Sequence, residues 1–255
     1  MPRPTPRTLE VIRSRQITPH MLRVTLGGSE ITTFPQDQEG AYIKLMFPRP
    51  DGSRPLVRTY TVGEQRCDEI DVDFALHAEE GPASTWAVNA RPGHKILIGG
   101  PGPKKPINTN ADWFLLAGDM TALPAIKVNI AHLPEDARGY VVIEVLEESD
   151  IQNLNVPVNI EVHWIVSANA DVAGRPLLDR IKQLPWLAGQ PAIWAACEFH
   201  SMRTLRKYFK LERQTHKDYL YVSSYWKIGR TEDQHKVEKQ DDLKTADPQS
   251  GRQPT

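Results

Sequence analysis

The sequence predicts two joined domains: a six-stranded antiparallel Greek-key barrel over residues 5–104 and a doubly wound parallel α/β domain over residues 111–230, followed by a charged tail at 231–255. Three observations lead there. A chain of 255 residues exceeds the usual single domain of roughly 100–200. Up to Gly102 the apolar residues alternate in short runs broken by Gly, Pro and Asp, with little helical spacing, as antiparallel strands do. Beyond the linker-like Lys104-Lys105-Pro106 to Asn110, strand-like runs alternate with helical ones, the pattern of parallel strands joined by crossover helices.

In the barrel half the expected strands are Leu9–Arg15, Met21–Leu26, Tyr42–Phe47, Val57–Val62, Ile70–Leu76 and Lys95–Ile98. Asp51-Gly52, between Pro50 and Ser53, marks a turn joining the third and fourth. In the fourth, side chains alternate, so Arg58 and Tyr60 share one face and Thr59 and Thr61 the other. A guanidinium grips phosphate oxygens in pairs, and a phenol ring lies well against a flat heterocycle, so this pair suits a flavin nucleotide. After His77, Gly81-Pro82-Ala83-Ser84 opens a short helix expected to stop near Asn89, because Arg91-Pro92-Gly93 cannot continue it. Free N–H groups at that start, with the Ser84 hydroxyl, make an anion site of the kind that holds a pyrophosphate. Trp86, on the same helix, reads as core.

In the second half the expected strands are Trp113–Ala117, Tyr140–Leu146, Ile160–Val166, Ala192–Ala196 and Tyr219–Ser223, with helices at Thr121–Leu133, Pro176–Leu184 and Ser201–Arg213. Ligands of such sheets approach the carboxyl ends of the strands where strand order reverses, here between the strands ending at Ala117 and Ala196. Gly118-Asp119-Met120-Thr121 and Cys197-Glu198 would flank that crevice. On spacing alone Gly118 is equally a strand-to-helix turn and Thr121 a helix cap. After the second strand, where a doubly wound domain reads the adenosine ribose, Glu147-Glu148-Ser149-Asp150 supplies three carboxylates and no cation, which opposes a 2′-phosphate. Thr231 to Ala246 opens with a capping box and has Glu232 four residues before Lys236, so a helix is expected. Its only apolar anchors are Val237 and Leu243, so it should be solvated and weakly packed, with disorder beyond Asp247.

Composition excludes several functions. Hydrophobic content of 40%, charged content of 25% and a net charge of −1 describe an ordinary soluble protein without the basic excess of a nucleic-acid binder. No run approaches the roughly 18 apolar residues of a membrane span, and the first residues lack an apolar targeting segment, so a cytoplasmic location is expected. Cys67 and Cys197 form no redox motif and are expected to be reduced, and eight histidines without ligand spacing imply no metal. No nucleophile–base pair is present, and no catalytic side chain is expected.

Five ordered motifs resemble one family. Arg58-x-Tyr60-Thr61, then His77-x-x-x-Gly81-Pro82-Ala83-Ser84-x-Trp86-Ala87, then Pro92 to Gly102, then Gly118-Asp119-Met120-Thr121-Ala122-Leu123-Pro124-Ala125, then Tyr225-Trp226-Lys227-Ile228-Gly229 are similar to the siderophore-interacting proteins, a branch of the ferredoxin-reductase-like flavoproteins. The resemblance spans roughly residues 5–230. It implies FAD as cofactor, with Arg58 on the pyrophosphate, Thr59 beside it, Tyr60 against the flavin, Thr61 near the reactive ring nitrogen, His77 on the ribityl or phosphate, Gly81, Pro82, Ala83 and Ser84 around the pyrophosphate, and Thr121 in contact. It also places Lys227 and Arg230 beside the flavin pocket, where, with Lys44 on the Tyr42–Met46 strand face, they could hold an anionic iron chelate.

The implied activity is reduction of ferric siderophores to release iron(II) in the cytosol, with NAD(P)H or ferredoxin as electron donor. A general flavin or ferredoxin reductase and a non-enzymatic siderophore-binding module remain alternatives. Where the family pattern usually carries glycine before the third helix, this chain has Cys197, expected to narrow the approach of a nicotinamide.

Overall fold

A computed structural model describes residues 6–49, 51–76, 81–168, 175–229, 238–239 and 241–242. His77, Arg230, the capping box opening the expected tail helix and the chain beyond Asp247 lie outside the described residues.

The first half is a six-stranded antiparallel sheet in the order β4-β3-β6-β1-β2-β5, built from β1 (Arg7–Thr18), β2 (Met21–Gly27), β3 (Tyr42–Phe47), β4 (Leu56–Thr61), β5 (Ile70–Ala75) and β6 (Lys95–Gly99). Strand alternation makes its core: in β3, Ile43, Leu45 and Phe47 are buried while Tyr42, Lys44 and Met46 face the other side. The inward set meets Leu9, Val11, Val24, Leu26, Val72 and Ile98 in one cluster. Gly63 N donates to Asp71 O at 2.9 Å and Asp71 N to Glu64 O at 2.8 Å, joining the chain after β4 to β5 and closing the sheet into a barrel. The β3–β4 turn forms at Gly52, whose φ of 69° favours a residue without Cβ, while Asp51 Oδ1 accepts from Ser53 N at 3.0 Å. Trp86, on α1 (Pro82–Val88), packs in the core, its ring 5.9 Å from both Phe47 and Phe74.

The second half is a five-stranded parallel sheet in the order β11-β10-β7-β8-β9, from β7 (Trp113–Asp119), β8 (Arg138–Val145), β9 (Asn159–Val166), β10 (Pro191–Glu198) and β11 (Leu220–Trp226). Helix α2 (Leu123–Ala131) covers one face, and α3 (Pro176–Gln183) and α4 (Phe199–Lys207) the other. Strand order reverses between β7 and β10, as the sequence predicts. All eight residues of β10 are buried, as befits a parallel strand covered on both faces. Side-chain parity sorts the faces: Trp194 and Ala196 face α2 and the barrel, while Ile193, Ala195 and Cys197 face α3 and α4. Gly118 must be glycine for packing, since a Cβ there would lie 2.5 Å from Ala196 O.

The two halves lock together through buried polar groups. Asp150, fully buried, accepts from Thr18 Oγ1 at 2.7 Å and His20 N at 2.9 Å, and its other oxygen meets His20 Nδ1 at 2.7 Å. Met21 of β2 packs into the cluster beneath α2. Among the described residues, no helix is long and apolar enough to cross a membrane.

Candidate functional site

The domains enclose a cleft of about 480 Å³, within the range of small-molecule sites. Its barrel wall is β4, with Arg58, Thr59, Tyr60 and Thr61 all lining it, and its floor is the start of α1, with Gly81, Pro82, Ala83 and Ser84. The sequence thus places eight candidate residues together. Tyr60 reaches the cleft with one side of its ring against Phe74, centroids 4.4 Å apart. Arg58 uses Nη1 to donate to Val57 O at 2.9 Å, which steadies the head. Ser84 Oγ accepts from Gly81 N and donates to Gly81 O, both at 2.9 Å, so the hydroxyl shapes the helix start. The first intrahelical bond, Thr85 N to Gly81 O, leaves the Ala83 and Ser84 N–H groups ahead of it pointing out of the helix start.

The opposite wall comes from the α/β domain. Thr121 lines the cleft, yet both its N–H and its hydroxyl donate to Asp119 Oδ1, at 2.9 and 2.5 Å; helix α2 begins after it, so Thr121 closes a turn and is not the cap. Asp119 Oδ2 accepts from Glu198 N and from Trp226 Nε1, both at 2.8 Å. Glu198, buried, caps α4: its carboxylate accepts from His200 N and Ser201 N, meets His200 Nδ1 at 3.0 Å and accepts from Ile228 N at 3.2 Å. Trp194, Tyr221 and Tyr225 form an aromatic wall, with the Trp194 and Tyr221 rings stacked 5.4 Å apart. Tyr225 shares a hydrogen bond with Thr61 across the domain boundary, and burial pushes its phenol up.

Among the described residues four cations line the cleft, Arg58, Lys105, Lys227 and Lys239, against one carboxylate, Asp73, which is held by Arg23 Nε at 2.7 Å. Lys227 Nζ lies 4.5 Å from the Phe199 ring centre and pairs with Glu238. Lys239 donates to Ser223 Oγ and Ser224 O, both at 2.8 Å. Burial, reinforced by Arg206, brings its ammonium down to about 8.

Several expectations change. Lys44 pairs across strands with Thr59 and Gly99 and is not among the cleft-lining residues. Cys197 does not narrow the crevice: strand parity turns it into the core under α3 and α4, where burial raises its thiol. Only two of the three acids after β8 can face a nucleotide, because Asp150 is turned inward onto Thr18 and His20. The tail is not simply solvated: residues 238–239 and 241–242 are helical and held by charge, with Asp242 paired to Arg203 at 3.1 Å and to Arg206. Charged anchors replace the missing apolar ones.

Sequence reasoning missed Asp119 and Glu198 as hubs, and Tyr42, Lys105, Trp194, Tyr221 and Lys239 as wall residues, while the Tyr225-Trp226-Lys227 segment lines the cleft. The spacing of Tyr221 and Tyr225, of one parity on β11, was the available signal for an aromatic face. Tyr42 is explained by Gly102, where a Cβ would lie 2.0 Å from the tyrosine ring, so that the Gly-Pro-x-Gly ending leaves room for that ring.

A barrel and a doubly wound domain share a cleft with a guanidinium and a helix start on one wall and aromatic rings on the other, the architecture of a two-domain nucleotide-binding protein. Residues 111–229 match the model of the siderophore-interacting protein family, and residues 10–57 and 49–105 that of its siderophore-interacting FAD-binding domain. The ferric vibriobactin reductase ViuB of Vibrio cholerae serotype O1 is 33% identical, over 92% of this chain and 94% of its own. The crystal structure of the siderophore-interacting protein SipS from Aeromonas hydrophila superposes with a TM-score of 0.84 at 31% identity, covering 95% of this chain and 99% of that one. A siderophore utilization protein from T. fusca gives 0.80 at 30%, covering 92% and 98%. The chain belongs to the siderophore-interacting protein family. It is an oxidoreductase whose cofactor is FAD, and the cleft brings a guanidinium, Arg58, and the start of α1 together, a donor set that suits that group's phosphates.

Proposed function

We propose that this chain reduces ferric siderophores. Arg58 and the N–H groups of Ala83 and Ser84 hold the FAD pyrophosphate, Tyr60 and Thr61 face the flavin ring, and Thr59 completes that strand wall. Bound FAD supplies electron carriage, accepting electrons in a pair and passing them on singly. The residues themselves bind, orient and exclude water; none is asked to move a proton.

The observation that carries this reading is the charge of the cleft. In a chain with a formal net charge of −1, four cations line it against one carboxylate among the described residues. Lys227 and Lys239 lie on the α/β side, Lys105 beside Trp194, where they can hold the negative oxygens of a siderophore near the flavin. Among the described residues no histidine or cysteine lines the cleft, and in this reading the iron stays wrapped in its own chelator while the lysines grip the chelate's charge. Hard oxygen chelators hold iron(III) far more tightly than iron(II), so one-electron reduction loosens the complex. Lys44, outside the cleft lining, belongs to the same proposal only as an outer steering charge.

The test is steady-state reduction of anionic ferric siderophores without oxygen, read with a coloured iron(II) chelator. Iron(II) release that depends on bound FAD supports the proposal. A yellow, FAD-loaded protein that releases none, from either catecholate or hydroxamate chelates, contradicts it and favours a general flavin reductase.

A further inference from the structure

The carboxyl-end crevice between β7 and β10 is where a doubly wound domain ordinarily accepts a dinucleotide, whose pyrophosphate is drawn to free N–H groups and the positive end of a helix. In this chain both helix starts at that crevice are served by the protein's own carboxylates. Asp119 holds the turn into α2 through the Thr121 N–H and hydroxyl at 2.9 and 2.5 Å. Glu198 caps α4 through His200 N and Ser201 N and is itself buried. The two are joined, since Asp119 Oδ2 accepts Glu198 N at 2.8 Å. The segment after β11 is then laced over them: Trp226 Nε1 donates to Asp119 at 2.8 Å and Ile228 N to Glu198 at 3.2 Å.

We infer that Asp119 and Glu198 are specificity-determining residues that close the dinucleotide crevice, standing in for the phosphates of a pyridine nucleotide and repelling them. A phosphate entering there would meet like charge and would have to displace bonds already made to both oxygens of each carboxylate. The Trp226–Ile228 segment, pinned by the same two residues, covers the space where a nicotinamide would lie. NADH and NADPH are therefore shut out alike, by a feature that precedes any reading of the 2′-phosphate. The inference extends the reductase proposal to its electron donor. Its test reads nucleotide binding alone, so failure of chelate reduction and failure of this inference are separate results.

The probe is ADP-ribose, which carries the pyrophosphate but cannot reduce a flavin, titrated calorimetrically into the FAD-loaded full chain at low salt. The wild-type protein is expected to bind it with a Kd above about 1 mM. Glu198→Gln, which keeps an accepting oxygen for α4 but removes the charge, should tighten binding by about tenfold, and Asp119→Asn by a similar factor, with the gain shrinking as salt rises. Glu198→Ser, which retains a helix-capping hydroxyl, covers the case in which Glu198→Gln does not fold. Uncharged adenosine should bind equally to all of them, which separates lost repulsion from a merely loosened crevice. Low-micromolar binding of ADP-ribose by the wild-type protein overturns the inference, and so does an unchanged Kd in folded, FAD-loaded Glu198→Gln or Glu198→Ser protein.

Discussion

The two domains treat their shared cleft in opposite ways. The barrel lines the cleft with the helix start at Ala83 and Ser84, the Arg58 guanidinium and a strand of Thr and Tyr side chains. The α/β domain answers its own anion positions with Asp119 and Glu198 and turns an aromatic face to the cleft. Its sheet has the strand order of a dinucleotide-binding domain, yet the local chemistry at the order reversal has been filled from within. Fold therefore fixes where a ligand could approach, while a few side chains at strand ends decide whether it does.

Arg58→Ala is the sharpest way to break that contrast. Loss of a charge-assisted partner to the pyrophosphate should weaken FAD binding by about 1.5–3 kcal/mol, read as FAD content after dialysis. Lys44→Ala, outside the cleft, should retain FAD. Equal retention in the two variants would mean that the barrel wall is not the side that grips.

Asp150→Ala tests the joint between the domains. It leaves Thr18 Oγ1 and His20 N without their acceptor, and about 2 kcal/mol of stability should be lost, measured from denaturant midpoints. Hydrogen bonds from Thr18 and His20 lower the Asp150 carboxyl despite its burial. A depressed carboxylate stabilises the fold above its unfolded value of about 4, and the contribution is lost as pH falls through the folded value. The variant should therefore lose part of the wild-type acid sensitivity; an unchanged acid limb would remove Asp150 from the joint.

Lys239→Met sharpens the comparison on the other wall. With its ammonium near 8, Lys239 is charged below that pH and neutral above it, so affinity for an anionic ferric chelate should fall as pH rises through about 8. In the variant that step should flatten, as read by chelate titration across pH. Lys227→Ala should have the smallest effect, because Glu238 already compensates its charge: a KM increase of about twofold to threefold for an anionic chelate, fading with salt, and no change in FAD content.

Much of this was legible in the sequence, and the reasons for the rest are physical. Strand alternation and Gly/Pro punctuation located both sheets, and the Gly81-Pro82 helix start lies where its composition put it. Parity also decides Cys197, but only once the strand is seen to continue through Glu198, which a run ending at Ala196 does not reveal. Asp119 bonds partners 79 and 107 residues away, and such pairings leave no local pattern. The tail was misread because a helix with two apolar residues can still be held by Asp242 on Arg203 and Lys239 on Ser223.

The central claim, that this cleft delivers electrons to a chelated iron(III), is met most directly by a single-turnover experiment. Protein carrying chemically reduced FAD is mixed without oxygen with an anionic ferric siderophore, and flavin absorbance is followed beside the colour of an iron(II) chelator. The account predicts that flavin reoxidation and iron(II) appearance share one rate, which saturates with chelate concentration. Flavin that stays reduced in the presence of the chelate, or reoxidises with no iron(II) formed, would contradict it.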